Sequence, residues 1–144
     1  MIRAVVDTNI LISALITKKP SSPRQVFNLI KSENFLLVTS PTILEELEDV
    51  ISREEIVKLH QRTSKQIEEI LKEIVETSYI VPGLISVEVV KEDPDDDKFI
   101  AAAIEGQADY IISGDKPLLN IKEYHGIKIV SPTDFIKLSG KKDG

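Results

Sequence analysis

Short apolar runs recur along this chain, and each leads into a helix-start signal. Ile2 to Val6 runs into Asp7, Phe35 to Val38 into Ser40-Pro41, Tyr110 to Ser113 into Asp115, and Ile127 to Val130 into Ser131-Pro132. A strand that is apolar at consecutive positions needs cover on both faces, and helices alternating with such strands supply it. The pattern therefore specifies an α/β fold, a central parallel sheet flanked by helices on both faces in a Rossmann-like three-layer sandwich.

The helices can be placed by their caps and stripes. Asp7 is set to cap a helix through Ile10, Leu11, Ala14 and Leu15, which Lys18-Lys19-Pro20 breaks. Ser22-Pro23 places a cap and an N1 proline before Val26, Phe27 and Ile30, and Ser40-Pro41 repeats the signal before a helix to about Ile51. A short helix over Glu54 to His60 and an amphipathic one over Thr63 to Thr77 follow. Ile80-Val81 and Val87 to Val90 read as short strands, Asp95 to Glu105 and Lys116 to about Lys122 as helices, with a last helix after Pro132. Residues 1–139 form one domain in this reading, and 140–144 a loose tail.

The acids stand where such a fold puts its site. Open parallel sheets bind ligands outside the carboxyl ends of their strands. Asp7 and Asp115 follow two strands, Glu46 lies on the helix after a third, and Glu92 to Asp97 opens a further helix. Crowded carboxylates repel one another, so they take up protons or gather cations. Helical geometry sorts the candidates. Phe99, Ile100, Ala103 and Ile104 stand three, four, seven and eight positions after Asp96, which puts Asp96 on the inward face, with Asp95 and Asp97 turned aside. In the helix after Pro41, Glu46 and Glu48 sit at the two margins of the apolar stripe, and geometry leaves them equal. Asp7, Asp96 and Asp115 could each also serve simply as helix caps.

Composition narrows the chemistry. Cysteine is absent, which excludes disulfides, thiolate zinc sites and cysteine nucleophiles. His60 and His125 lie in polar segments without a neighbouring nucleophile. No apolar run approaches the ~20 residues of a membrane span. The opening strand leaves no room for a charged leader, so a cytoplasmic protein is expected. A net charge of −6 argues mildly against nucleic acid, although bound cations would offset acidity at the site.

These residues resemble the PIN-domain nucleases. Val5-Val6-Asp7-Thr8-Asn9-Ile10-Leu11 looks like the family's first acidic motif, and Thr42-Ile43-Leu44-Glu45-Glu46-Leu47 is similar to its second, which selects Glu46 over Glu48. Asp93 to Ala103 resembles the third and favours Asp96, with Asp97 the alternative one position on; Ala108 to Lys116 resembles the fourth, with Asp115 as its acid. The Asp-Pro-x-Asp segment and the closing Ser-Pro-x-x-Phe look most like bacterial and archaeal members described as toxins of toxin–antitoxin pairs, relatives of VapC.

The resemblance implies an endoribonuclease that hydrolyses RNA phosphodiesters with Mg²⁺ or Mn²⁺, a homodimer, and an antitoxin that blocks the site. Asp7, Glu46, Asp96 and Asp115 would hold the metal, with Thr8, Asn9 and Ser113 orienting ligands or phosphate. Lys18, Lys19, Arg24 and Lys116 are candidates for guiding the RNA backbone. One rival is a catalytically silent PIN-like module that binds RNA or protein. Another is a Mg²⁺-binding receiver domain, which would need an aspartate where the run Phe35 to Val38 ends in Thr39-Ser40. A haloacid-dehalogenase-type phosphatase would need an aspartate at Asn9.

Overall fold

The computed structural model describes residues 1–143, with side chains to Ser139. Its elements in order are β1 (Arg3–Val6), α1 (Thr8–Ile16), α2 (Ser22–Lys31), β2 (Leu36–Thr39), α3 (Pro41–Ile51), α4 (Glu54–His60), α5 (Ser64–Thr77) and β3 (Ser78–Ile80). A 3-10 turn, Pro94–Asp96, then leads into α6 (Asp97–Glu105), β4 (Tyr110–Ile112), α7 (Lys116–Leu119), β5 (Glu123–Tyr124), β6 (Ile127–Val130) and α8 (Pro132–Asp143). The tail expected to be loose, Gly140 to Gly144, has side chains outside the described residues.

The sheet runs β3-β2-β1-β4-β6-β5, parallel except for β5, which pairs antiparallel with β6 at one edge. Strand side chains alternate between faces, and the core divides accordingly. Ala4, Val6, Leu37 and Ile112 pack under α1, α2, α5 and α8, together with Leu47, Ile51 and Phe135. Val5, Val38, Ile111 and Ile129 pack on the other face against Phe99, Ile100, Ala102 and Ala103 of α6 and Leu118 of α7. This is the expected three-layer α/β sandwich, and no helix among the described residues is long and apolar enough to cross a membrane.

Local capping chemistry accounts for most helix starts. Asp7 accepts from the Asn9 N–H at 3.1 Å, and Ser40 caps α3 through the Ile43 N–H. Thr63 and Gln66 form a reciprocal capping box on α5. The cap of α2 is Ser21 rather than Ser22, which puts Pro23 in the helix's second position.

Two further expectations are corrected. Val87 to Val90 is no strand, and the Asp97 carboxylate of α6 takes two of the donors that a ladder would use. Asp97 accepts from the N–H groups of Val89 and Val90 at 3.0 and 2.7 Å, and Glu105 accepts from those of Gly83 and Leu84. The helix expected to reach Lys122 stops at Leu119, and the chain instead enters the unforeseen β5. His125 and Gly126, both with positive φ, turn it back into β6, the backbone pattern of a type I′ hairpin.

Gly106 ends α6 against the sheet, where an added Cβ would lie 2.4 Å from Val38 Cγ1 and 3.1 Å from Val81 Cγ1. Gly106→Ala should therefore destabilise the protein by about 1–3 kcal/mol in urea unfolding. Gly114→Ala, whose Cβ would approach nothing closer than 3.8 Å, should cost far less.

Candidate metal centre

The sheet register builds the floor of the site. Val6 pairs with Ile112, so the next residues on the two strands, Asp7 and Ser113, emerge side by side. The Asp7 N–H still donates to the Ile112 carbonyl at 2.9 Å. Strand order reverses here, with β2 on one side of β1 and β4 on the other, which opens the crevice typical of α/β sites. Both side chains are buried, and Ser113 Oγ donates to Asp7 Oδ2 at 2.7 Å while accepting from the Asp115 N–H at 3.0 Å. One hydroxyl thus orients two acids. Burial raises the Asp7 pKa above the ordinary range, with the charges of Asp115 and Glu46 adding to it, against the hydrogen bonds from Ser113 and Asn9.

Asp96 and Asp115 meet above that floor, joined by a residue that sequence reasoning did not select. Ligand-type oxygens of Asp93, Asp96 and Asp115 all lie within 4.8 Å of one another. Neither Asp96 nor Asp115 uses its side chain to cap the helix that follows it. Asp96 is buried, and its Oδ2 has no hydrogen-bond partner. Burial, the adjoining Asp115 carboxyl and the charges of Asp115, Asp93 and Asp7 push the Asp96 pKa up to about 8. Two carboxylates this close must share a proton or a cation. The donors are all hard oxygens, a set that fits Mg²⁺ or Mn²⁺. Asp97 faces elsewhere, bound to the Val89 and Val90 N–H groups.

Glu46 reaches the same region from α3 and is half-buried, whereas Glu48 is exposed. Its Oε2 accepts from Lys98 Nζ at 2.5 Å, and the same ammonium donates to Asp95 Oδ2 at 2.9 Å. Burial alone would lower the Lys98 pKa, but its bonds to these two acids outweigh that and raise it. The four acids singled out in the sequence are thus brought together, with Asp93 and Lys98 added.

The remaining candidates divide. Thr8 is buried beside Asp7 with an unpartnered Oγ1, while the Asn9 side chain is exposed and contributes its backbone N–H. Lys116, next to Asp115, and Lys18 and Lys19, after α1, are exposed. Arg24 is occupied with the carbonyls of Ala14 and Thr17, and Arg62 with that of Leu15, so both guanidiniums serve the carboxyl end of α1. His60 is buried, accepting at Nδ1 from the Arg62 N–H and donating through Nε2 to Ile51, and His125 is exposed in the hairpin turn.

The PIN domain family profile matches residues 3–117, a span that holds all four acids. The uncharacterized protein MJ1680 of Methanocaldococcus jannaschii is 32% identical over 144 residues, which cover 94% of this chain and 90% of that protein. PAE2754 from Pyrobaculum aerophilum shares the fold with a TM-score of 0.60 at 12% identity, over 97% of this chain and 90% of that one. VapBC2 from Rickettsia felis, solved bound to a DNA fragment from their promoter, gives 0.52 at 17% identity, over 90% of this chain and 98% of that one.

Two predictions separate Asp96 from Asp97. A carboxyl whose pKa is raised from 3.8 to about 8 keeps its proton in the fold after the unfolded chain has lost it. Its contribution to stability is full below about pH 4 and is lost as pH rises towards 8, on the order of a few kcal/mol in metal-free protein. Urea unfolding in EDTA from pH 5 to 8.5 should show that decline, and Asp96→Asn should flatten it. Asp97→Ala, which strands two N–H groups, should cost about 1–3 kcal/mol and keep the decline.

Proposed function

The chain belongs to the PIN-domain family, and from that membership and the acid site we propose a divalent-metal-dependent endoribonuclease, the toxin of a toxin–antitoxin pair. PIN domains are generally nucleases. The observation that carries the metal dependence is the unpartnered Asp96 oxygen, buried among Asp93 and Asp115. Asp93, Asp96 and Asp115 would hold Mg²⁺ or Mn²⁺, with Asp7 and Glu46 at its margin. Such an ion, when bound, lowers the pKa of a coordinated water and offsets charge developing on a phosphate.

The chain's own residues prepare that chemistry. Ser113 and the Asn9 N–H fix both oxygens of Asp7, so the carboxylate costs little to organise when substrate arrives. Asp96 would release its proton to solvent on holding a cation, which would tie metal affinity to pH. Lys116 stands exposed beside Asp115, where it could meet an RNA backbone at the acids, with Lys18 and Lys19 a helix length away along α1. Arg24 is bound to α1 carbonyls and is better placed to hold that helix than RNA.

The partner reading rests on the fold shared with VapBC2. An antitoxin covering the crevice would block access to the acids, and a homodimer in the cytoplasm completes the proposal.

Cleavage of end-labelled structured and single-stranded RNAs by pure protein with Mg²⁺, Mn²⁺ or EDTA tests it. Asp7→Asn and Asp96→Asn should each lower the metal-dependent rate by more than ~100-fold, beyond the ~10–100-fold expected of Ser113→Ala as an orienting residue. Unchanged rates in folded Asp7→Asn and Asp96→Asn would remove the mechanism.

A further inference from the structure

The carboxylates of the site fall into two groups with different needs. Asp93, Asp96 and Asp115 have no cationic side chain paired with them among the described residues, and one oxygen of Asp96 is buried without a partner. Glu46 and Asp95 already share the Lys98 ammonium. That ammonium is unlike the other ion pairs of the described residues. Lys58–Glu54 and Lys72–Glu76 each join successive turns of one helix, and Arg53–Asp49 ties the α3–α4 junction to the end of α3, all through exposed side chains. Lys98–Glu46 joins separate elements, α6 and α3, and the lysine side chain is 11% exposed.

In sites with two divalent ions, the ions stand ~3.5–4 Å apart and share carboxylates between them. Of the two carboxylates at the margin, Asp7 already accepts from Ser113 Oγ and the Asn9 N–H, and Glu46 is held by a fixed positive charge at 2.5 Å. A second divalent ion at Glu46 would have to sit in like-charge contact with that half-buried ammonium. We propose that Lys98 takes the place of a second divalent cation, so that the site holds a single Mg²⁺ or Mn²⁺ at Asp93, Asp96 and Asp115. Lys98 is then a positioning residue that keeps Glu46 beside that ion. The inference rests on the metal-dependent reading above and specifies how many ions it involves.

The test is the number of Mn²⁺ ions bound per chain, measured on the whole protein by calorimetric titration and by the spin-resonance signal of free Mn²⁺. The wild type should bind one ion, and Asp93→Asn should weaken it at least tenfold. Lys98→Arg, which keeps the charge, should still bind one. Lys98→Met, or Lys98→Gln if the methionine variant does not fold, should bind a second, weaker ion. Two ions on the wild type would overturn the proposal and leave the metal-dependent reading standing. No ion at millimolar Mn²⁺ would overturn both. A folded, charge-free variant that still binds one ion would show that Lys98 merely ties α6 to α3, and that too would overturn the proposal.

Discussion

Pairing between β1 and β4 is the constraint from which the site follows. Their register sets Asp7 beside Ser113, and the pairing of β4 with β6 continues it, with the Ser113 N–H donating to Val130. With strand order reversing at β1, the chain leaves these two ends in opposite directions, and no connection crosses the crevice between them. α1 and α7 both start there, so Asp7 and Asp115 arrive as by-products of strand pairing. Asp96 and Glu46 depend on packing instead. Phe99 and Ile100 anchor α6 against Val5 and Ile111, and Ile43 and Leu47 seat α3 beside them.

Burying so many acids together costs stability, and the protein compensates by different means at each. Asp7 has hydrogen bonds from a hydroxyl and a backbone N–H, Glu46 and Asp95 have an ammonium, and Asp97 has two backbone donors. Asp93, Asp96 and Asp115 have no such ammonium, and of the three only Asp96 is buried, with a pKa pushed up to about 8 and one oxygen without a hydrogen-bond partner. A buried carboxyl oxygen left without a partner, beside acids that have theirs, is an unmet polar group of the kind that marks functional positions. Glycine at 106 and the carboxylate clamps of Asp97 and Glu105 belong to the same arrangement, since they fix α6 and hence Asp96.

What the sequence revealed and what it concealed divide by range. Caps at Asp7 and Ser40 are local hydrogen bonds, and residue type with spacing is enough to place them. The inward aspect of Asp96 is likewise set by the apolar positions three to eight residues after it. Asp93 escaped because it lies before the 3-10 turn, outside the helix whose angular geometry was used. The clasp between Lys98 and Glu46 spans 52 positions, and no local pattern encodes it. Val87 to Val90 has the composition of a strand, yet its donors are taken by a side chain, which alternation of apolar residues cannot reveal. Arg24 is a candidate RNA contact by sequence, and only the fold shows it closing the end of α1.

Anomalous diffraction from crystals grown with Mn²⁺ would test the central claim most directly, that Asp93, Asp96 and Asp115 form a divalent-cation site. The account predicts an anomalous peak bonded to Asp96 Oδ2, with carboxylate oxygens of Asp93 and Asp115 among its neighbours. Well-occupied crystals with Asp96 still unpartnered, or with Mn²⁺ only at exposed acids such as Glu45 and Asp49, would contradict it.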